Sequence, residues 1–444
     1  MRSATRFFFS ALLLVTVSAS MFGQVAAQGT PAASGAAKPK GQVTVWMWKS
    51  VWDNLVASKI LDDFHKEYPD VIVARVDISS GDVYQKLPLA LSAGTGAPDV
   101  SLVEDSALGG FVALGGLMDL TEQTKPYKDQ IVAYKWDQAT KDGKVYGMPW
   151  DFGPVVTYYR RDIFKAAGLS DDPAEVSKAV ATWDKYLATC KIILDKTKKA
   201  CLPLSKANND ARFYETMLWQ QSLGYVSADG KVTVDSPENT ATLEKLGEFV
   251  KAGVVSDTES WTDNFYAAFN KKDTGVASTV MAAWMGGFMR SWLAPDTKGL
   301  WGATRMPAMK DGQKRAANYG GSDFIIPDQS QNKDAAWAFV EFMLARPANQ
   351  AKIFAATDIF PALTATYKDP VFSEADPYFG NEIVRQVYAD VAKDVPSATI
   401  YGQHYTEING FVKTAIQKFF TGSMSAADAL KEAAAGIRQQ TGLK

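Results

Sequence analysis

Short β-branched apolar runs alternate along this chain with longer amphipathic stretches. "QVTVWMW", Gln42 to Trp48, alternates in the manner of a strand. After it Val56, Ile60, Phe64 and Tyr68 recur every fourth residue, which predicts a helix, and Ser50 with Asp53 three residues on has the spacing of a capping box. "DVIVARVDI" is a second strand, "DVYQKLPLALSAG" a helix that carries Pro88, and "PDVSLVE" a third strand ahead of "SALGGFVALGGL". A repeated strand-helix-strand rhythm predicts a parallel sheet with helices on its faces.

The rhythm changes at "KVYGMPWDFGPVVTYYRRDIFKAAGL", Lys144 to Leu169, where two strand-like runs flank Pro149 to Pro154. Helical patterns dominate beyond it: "TWDKYLATCKIIL", "ARFYETMLWQQSLG" and "PENTATLEKLGEFVKAG". Extended chain returns in "GVASTVMAAW", "GATRMPA" and "YGGSDFIIPD", before the amphipathic "NKDAAWAFVEFMLARP" and a helical tail from Asn381. The expected fold class is α/β: two α/β domains joined by a hinge, the chain leaving the first near Gly153 and returning near Ser322. The implied boundaries are 42–153 plus 322–365 for the first lobe and 154–321 plus 366–444 for the second. Ligands of open α/β sheets sit beyond the carboxyl ends of strands, so two such domains face each other across a cleft. Trp48, Glu104, Asp105, Asp151 and Trp284 all follow strand-like runs at that kind of position.

Composition narrows the class. With 444 residues, 47% hydrophobic and 22% charged, the chain can bury a large core. A formal net charge of −2 and no basic-aromatic stripe argue against a nucleic-acid partner. Arg2 and Arg6 precede "FFFSALLLVTV", and small residues run to Ala27, the pattern of a secretory signal over residues 1–27; the apolar run is short of the roughly 20 residues that span a bilayer. "QGTPAASGAAKPKG", residues 28–41, reads as a flexible lead-in. Export to the periplasm gives the single cysteine pair a meaning: Cys190 and Cys201 either close a short disulfide loop or stay as two buried thiols. His65 and His404 stand apart with no clustered partners, so no metal site and no cofactor are expected. "GTG" at Gly94 to Gly96 precedes a strand instead of opening a helix, and reads as a turn.

The strand-helix opening, "LSAGTGAPDVSLVEDSALGGFVALGGLMDLT", the "MPWDFGP" crossing, "TWDKYLATCKIIL" and "YGGSDFIIPDQSQNKDAAWAFVEFMLA" stand in the order found in extracellular solute-binding proteins of ABC transporters. The chain resembles their maltose-binding-like carbohydrate group over nearly all of its mature length. That resemblance implies a monomeric, two-lobed, non-catalytic protein that closes on a sugar or polyol and delivers it to membrane permease subunits. Carried over position by position, it implies ligand contacts at Trp48, Glu104, Asp105, Asp151, Trp284, Gly286, Gly320, Gly321 and Asp323, to which a loop-borne Trp261 is added.

The chemistry suits a sugar. A pyranose face stacks on an indole ring, and hydroxyls pair with carboxylates, amides and backbone groups. Each residue also has a structural reading: Trp48 and Trp284 as buried rings, Asp105 and Asp151 as helix N-terminal or hinge carboxylates. Trp46, Trp52, Trp183 and Trp337 are expected in the core. Two other functions fit the same residues: a receptor for a phosphorylated polyol, for which Lys49 or Arg290 must reach the cleft, and an exported glycoside hydrolase, which needs two carboxyls set across the scissile bond.

Overall fold

In a computed structural model of the chain, which describes residues 38–207, 210–272, 275–398 and 400–444, a seven-stranded mixed sheet is the frame on which everything else hangs. The signal segment, its cleavage point after Ala27 and most of the lead-in lie outside the described residues. Pro39–Lys444 form one compact unit.

Strand β1 (Gly41–Met47) buries Val43, Val45 and Met47 on one face and pairs in parallel with β2 (Val71–Asp77) and β3 (Val100–Glu104). Helices α1 (Lys49–Ala57), α2 (Ile60–Glu67), α3 (Ser80–Ala93) and α4 (Asp105–Leu114) follow these strands. The stretch after β1 predicted as one helix is two, because Lys59 sits at φ 60°, left-handed, and breaks the ladder. That break lets Ile60 and Phe64 reach the core while Val56 stays exposed. The predicted capping box does not form either: Asp53 is taken by Lys49 at 2.5 Å and Arg75 at 2.7 Å, and Trp48 occupies the N-cap without a side-chain bond. Helix α3 runs through Pro88 and is capped by Ser79, whose Oγ accepts the Asp82 amide; at its other end Gly94 is left-handed, so the "GTG" stretch is a turn.

Helix α5 (Ala133–Ala139) precedes the longest strand, β4 (Met148–Arg160), in which all thirteen residues are buried. Its first part pairs with β7 (Asn318–Ile325), and Val155 to Arg160 pair with β5 (Ser278–Ala282) and β6 (Trp301–Arg305). β7 also lies against β3, Ser322 opposite Glu104. Strand order is therefore β6-β4-β7-β3-β1-β2, with β5 also on β4. The parallel pairing expected throughout holds only for β1 with β2 and β3. Every pairing of β4 and β7 is antiparallel: the long connection brings the chain back to the sheet at the end where β3 finishes, Ser322 opposite Glu104 and Ile325 opposite Ser101, so β7 runs against it.

The remaining elements that matter here are α6 (Arg212–Trp219), α7 (Trp284–Phe288) and α8 (Tyr405–Phe420). All eight residues of α6 are buried, which the amphipathic pattern did not announce. Trp52 and Trp183 are core residues, and Trp337 packs half-buried against the core. Trp46 differs from its neighbour Trp48: it packs on a small cluster around Val83, Leu108 and Phe111, whereas Trp48 packs on the main one. Cys190 and Cys201 are joined as a disulfide. Among the described residues no helix is long and apolar enough to cross a membrane.

Candidate ligand-binding site

β4 and β7 lie side by side where Phe152, Gly153 and Pro154 face Asn318 to Gly321, and the pairing register breaks between Asn318 and Gly321. Asn318 laces the two: its Oδ1 accepts the Gly153 amide at 2.9 Å and its Nδ2 donates to the Gly320 carbonyl at 2.9 Å. Glycine is required at two points. A Cβ on Gly153 would lie 2.0 Å from the Tyr319 carbonyl oxygen, and Gly321, at φ 123°, has the Asp105 carboxylate 2.4 Å from where a Cβ would be.

On one side of this crossing stands a row of rings. Trp284 lies 5.8 Å from Tyr319, 6.0 Å from Trp261 and 5.3 Å from Phe288, which lies 5.5 Å from Trp292. The Trp284 indole N–H donates to the Tyr319 carbonyl at 3.2 Å, fixing the ring. Trp261 and Trp292 are 41% and 50% exposed, so the row offers apolar faces to solvent at its ends. Trp261 has φ 66°, a left-handed backbone that is uncommon for a bulky residue and that directs its ring onto Trp284.

Polar groups lie on the neighbouring elements, Glu104 opposite Ser322 and Asp210 on Ser260 beside Trp261. Glu104, at the end of β3, accepts the Tyr84 phenol, and burial raises its carboxyl above the ordinary value, offset by hydrogen bonds from Tyr84 and Ser106. The Tyr319 phenol is pushed up by burial and then by the negative charges of Asp210, Glu215 and Glu104, with Arg212 pulling the other way. Arg212 is buried, its guanidinium 4.7 Å from the Phe213 ring and 3.4 Å from Asp210 Oδ2; its Nε and Nη2 have no hydrogen-bond partner. Asp210 also accepts the Arg212 amide at 3.0 Å and the Ser260 hydroxyl. An Arg–Asp pair held this way presents donors and acceptors together with little net charge.

The predicted carboxylates separate into two groups. Asp105 and Asp323 are buried around Lys135, which reaches them from α5: its ammonium donates to Asp105 Oδ1, to Asp323 Oδ2 at 3.2 Å and to the Ser322 carbonyl at 3.3 Å. Asp151 is buried beside them and accepts the Ser322 hydroxyl. Burial raises Asp151 to about 6 against the pull of Lys135 and Ser322. Burial raises Asp105 likewise; for Lys135 burial acts downward, and the fields of Asp105, Asp323 and Asp151 outweigh it. This ion cluster braces the paired strands, while Asp105 Oδ2 and Asp323 Oδ1 stay buried without a hydrogen-bond partner.

Among the other predicted residues, Gly286 is buried with the Tyr388 hydroxyl 2.6 Å from its Cβ position, so it serves close packing. Gly320, at φ 76°, donates its amide to Tyr401 Oη at 3.1 Å and stands 3.5 Å, at its Cβ position, from Trp284 Nε1. Trp48 is half-buried on the core with its indole N–H unpaired. Sequence reasoning missed Tyr84, Lys135, Asp210, Arg212 and Tyr319. The last of these sits immediately before the glycine pair, and that adjacency was the available signal. Among the described residues no group of three or more His, Cys, Asp or Glu is placed to hold a metal.

Comparison with known proteins identifies the family and the fold. Residues 59–381 match the family of bacterial extracellular solute-binding proteins. The lactose-binding protein of Rhizobium radiobacter is 28% identical over 414 residues, 90% of this chain and 92% of that protein. The arabinooligosaccharide-binding protein of Bacillus subtilis strain 168 is 25% identical, covering 76% of this chain and 77% of the other. A crystal structure of an extracellular solute-binding protein of family 1 superposes with a TM-score of 0.78 at 24% identity, over 90% of this chain and 99% of that one. The binding protein from B. animalis subsp. lactis Bl-04 in complex with beta-1,6-galactobiose gives 0.74 at 23%, over 90% and 97%. The fold is the two-lobed periplasmic-binding-protein fold, and the chain belongs to the bacterial extracellular solute-binding protein family.

Proposed function

We propose that the protein is the exported, monomeric substrate-binding component of an ABC importer and that it binds a neutral sugar of more than one unit between its lobes. The observation that carries this reading is the row Trp261–Trp284–Phe288–Trp292, with the Asp210–Arg212 pair beside it: Asp210 accepts the hydroxyl of Ser260, the residue before Trp261, and Arg212 lies 5.8 Å from the Phe265 ring, which itself packs on Trp261. Successive rings suit successive pyranose faces, and the paired polar groups suit hydroxyls. The lactose- and arabinooligosaccharide-binding relatives support an oligosaccharide ligand.

Closure follows from contacts that both lobes make with the same ligand, since a ligand shifts an open–closed equilibrium only by its differential affinity. The lobes take up residues 42–153 plus 322–365 and 154–321 plus 366–444. Glu104 contributes from the first, Trp261, Trp284 and Arg212 from the second, and Tyr319 with the glycines from the crossing. In this reading Asp105, Asp151 and Asp323 set the hinge and do not touch the sugar.

The phosphorylated-polyol alternative finds its cations committed: Arg290 donates to Asp358 and Asp376, and Lys49 to Asp53. A hydrolase is disfavoured by the same economy, because the buried carboxylates are held by Lys135 and Ser322, and the relatives are binding proteins. Intrinsic tryptophan fluorescence and thermal shift against a panel of sugars, polyols and their phosphates test the proposal. Saturable binding of an oligosaccharide that is recovered unchanged is the expected outcome; turnover of it, or a response confined to phosphates, overturns the reading.

A further inference from the structure

Helix α4 carries two consecutive glycines, Gly109 and Gly110, although glycine weakens a helix relative to alanine. For Gly109 the structure gives the reason. A Cβ there would lie 2.8 Å from the Gly402 carbonyl carbon, 3.0 Å from the Gln403 amide nitrogen and 3.1 Å from the Gly402 carbonyl oxygen, nearer than a side chain can stand to backbone. At Gly110 the nearest atom, the Gln403 carbonyl oxygen, is 3.6 Å from the Cβ position, an ordinary contact. In the lobe assignment proposed above, α4 lies in the first lobe and residues 402–403 in the second, so backbone meets backbone across the lobes.

Neither side can give way within its own lobe. α4 is anchored by Leu108 and Phe111, buried in the cluster with Val83 and Val103. Opposite it, the Gly402 carbonyl accepts the Tyr405 amide at 3.1 Å. Tyr401, one residue earlier, packs on Trp219 at 5.2 Å and on Tyr405 at 4.9 Å, and its Oη accepts the Gly320 amide at 3.1 Å. Tyr405 in turn donates to Glu215 at 3.0 Å. Close-packed surroundings of this kind do not absorb an added methyl, so it has to be accommodated by moving one lobe against the other.

We infer that Gly109 is a positioning residue for ligand binding: its missing side chain lets α4 seat on Gly402 and Gln403, and that contact sets how far the lobes close without touching the sugar. The inference rests on the two-lobed, sugar-binding reading above and adds to it a residue outside the ring row and its polar partners. Apparent affinity scales with the fraction of protein that can reach the binding-competent state, so a side chain at position 109 lowers affinity from outside the site. The same substitution favours the helix itself, so stability and affinity move apart.

Spin labels on Leu89→Cys and Ile192→Cys, exposed positions of the first and second lobe, read lobe separation in the whole protein by double electron–electron resonance, alone and with lactose or maltotriose as neutral saccharide probes. The otherwise native protein is expected to populate the separation found in this structure. Gly109→Ala should cut that population at least fivefold and Gly109→Leu should abolish it, while Gly110→Ala keeps it within twofold. Calorimetric affinity for whichever probe binds should fall in the same order, with the melting temperature of Gly109→Ala unchanged or raised. A native protein that never reaches this separation, or position-109 variants that reach it as often as native, overturns the inference; if Gly109→Leu does not fold, Gly109→Ala alone decides. A lowered melting temperature in Gly109→Ala with the closed population intact also overturns it, assigning the glycine to local packing. Closure that is lost in the position-109 variants yet insensitive to both sugars upholds the role of Gly109 and counts against the sugar reading instead.

Discussion

The indole of Trp261 lies 6.0 Å from that of Trp284, inclined by 28°, although 23 positions separate them in the chain. One ring is 41% exposed on a left-handed backbone; the other is held by a hydrogen bond to the crossing strand. Together they make a platform that neither makes alone. Trp284→Ala should weaken sugar binding by about 1–3 kcal/mol, a hot-spot loss, with the fold retained. Trp48→Ala should do less to affinity and more to stability, because that ring packs on the core. Calorimetry beside thermal melting separates the two effects, and equal affinity losses would return Trp48 to the site.

Arg212 is the polar counterpart. Its Nε and Nη2 are buried without a hydrogen bond, Nη2 having only the ion pair with Asp210 at 3.4 Å, a costly arrangement unless a ligand answers them. Arg212→Met should cost about 2–5 kcal/mol of sugar affinity while changing the melting temperature little. A melting temperature that falls with affinity intact would assign the residue to packing alone.

Lys135 is the one cation in the cluster with Asp105, Asp323 and Asp151. Removing it strands charge in the interior. Lys135→Met is expected to destabilise by about 3–5 kcal/mol, the scale of breaking a buried pair from one side. Urea unfolding measures it, and a loss below about 1 kcal/mol would mean the carboxylates are already neutral.

Two raised carboxyls give the protein a pH signature. Burial lifts Glu215 to about 7 against hydrogen bonds from Tyr225, Tyr405 and Asn409, and Asp151 to about 6. An acid whose folded value lies above its unfolded one binds more protons folded than unfolded in the interval between them, so stability falls as pH rises through that interval. The windows are 4.5 to about 7 for Glu215 and 3.8 to about 6 for Asp151. Melting temperature should decline from pH 5 to pH 8, and Glu215→Gln should flatten the upper part of that decline. A parallel decline in the variant would remove Glu215 as its source.

The disulfide between Cys190 and Cys201 closes a loop of eleven positions. A short loop of this kind contributes about 2–4 kcal/mol, mainly by restricting the unfolded chain. Cys190→Ser with Cys201→Ser should lower unfolding free energy by that amount and leave sugar affinity unchanged. Two reactive thiols in the unfolded, unreduced protein would show the bond is not made.

Much of the fold was legible in the sequence. The alternation in "VTVWMW" and "PDVSLVE" gave the parallel strands, and "MPWDFGP" was read as extended chain, because alternation and proline act within a few positions. The one helix predicted after β1 failed where Lys59 turns left-handed, a choice made by the packing of Ile60 and Phe64 and not by periodicity. The antiparallel sense of β7 was equally hidden, since strand direction depends on where the chain has been in between.

For the site, the sequence by itself determined the residue types at the strand ends and beside the glycine pair: Trp284, Glu104 and the positions of Gly320 and Gly321. It also marked a soluble core and a cysteine pair. Only the tertiary structure decided which carboxylates are bound to a buried cation, because Lys135 comes from a helix thirty positions beyond Asp105 and 188 before Asp323. It likewise brought Arg212 and Asp210 to the field around Tyr319. Burial and Coulomb fields act through space at a few ångströms, whereas pattern acts along the chain, and the two agree only where neighbours in sequence are also neighbours in the fold.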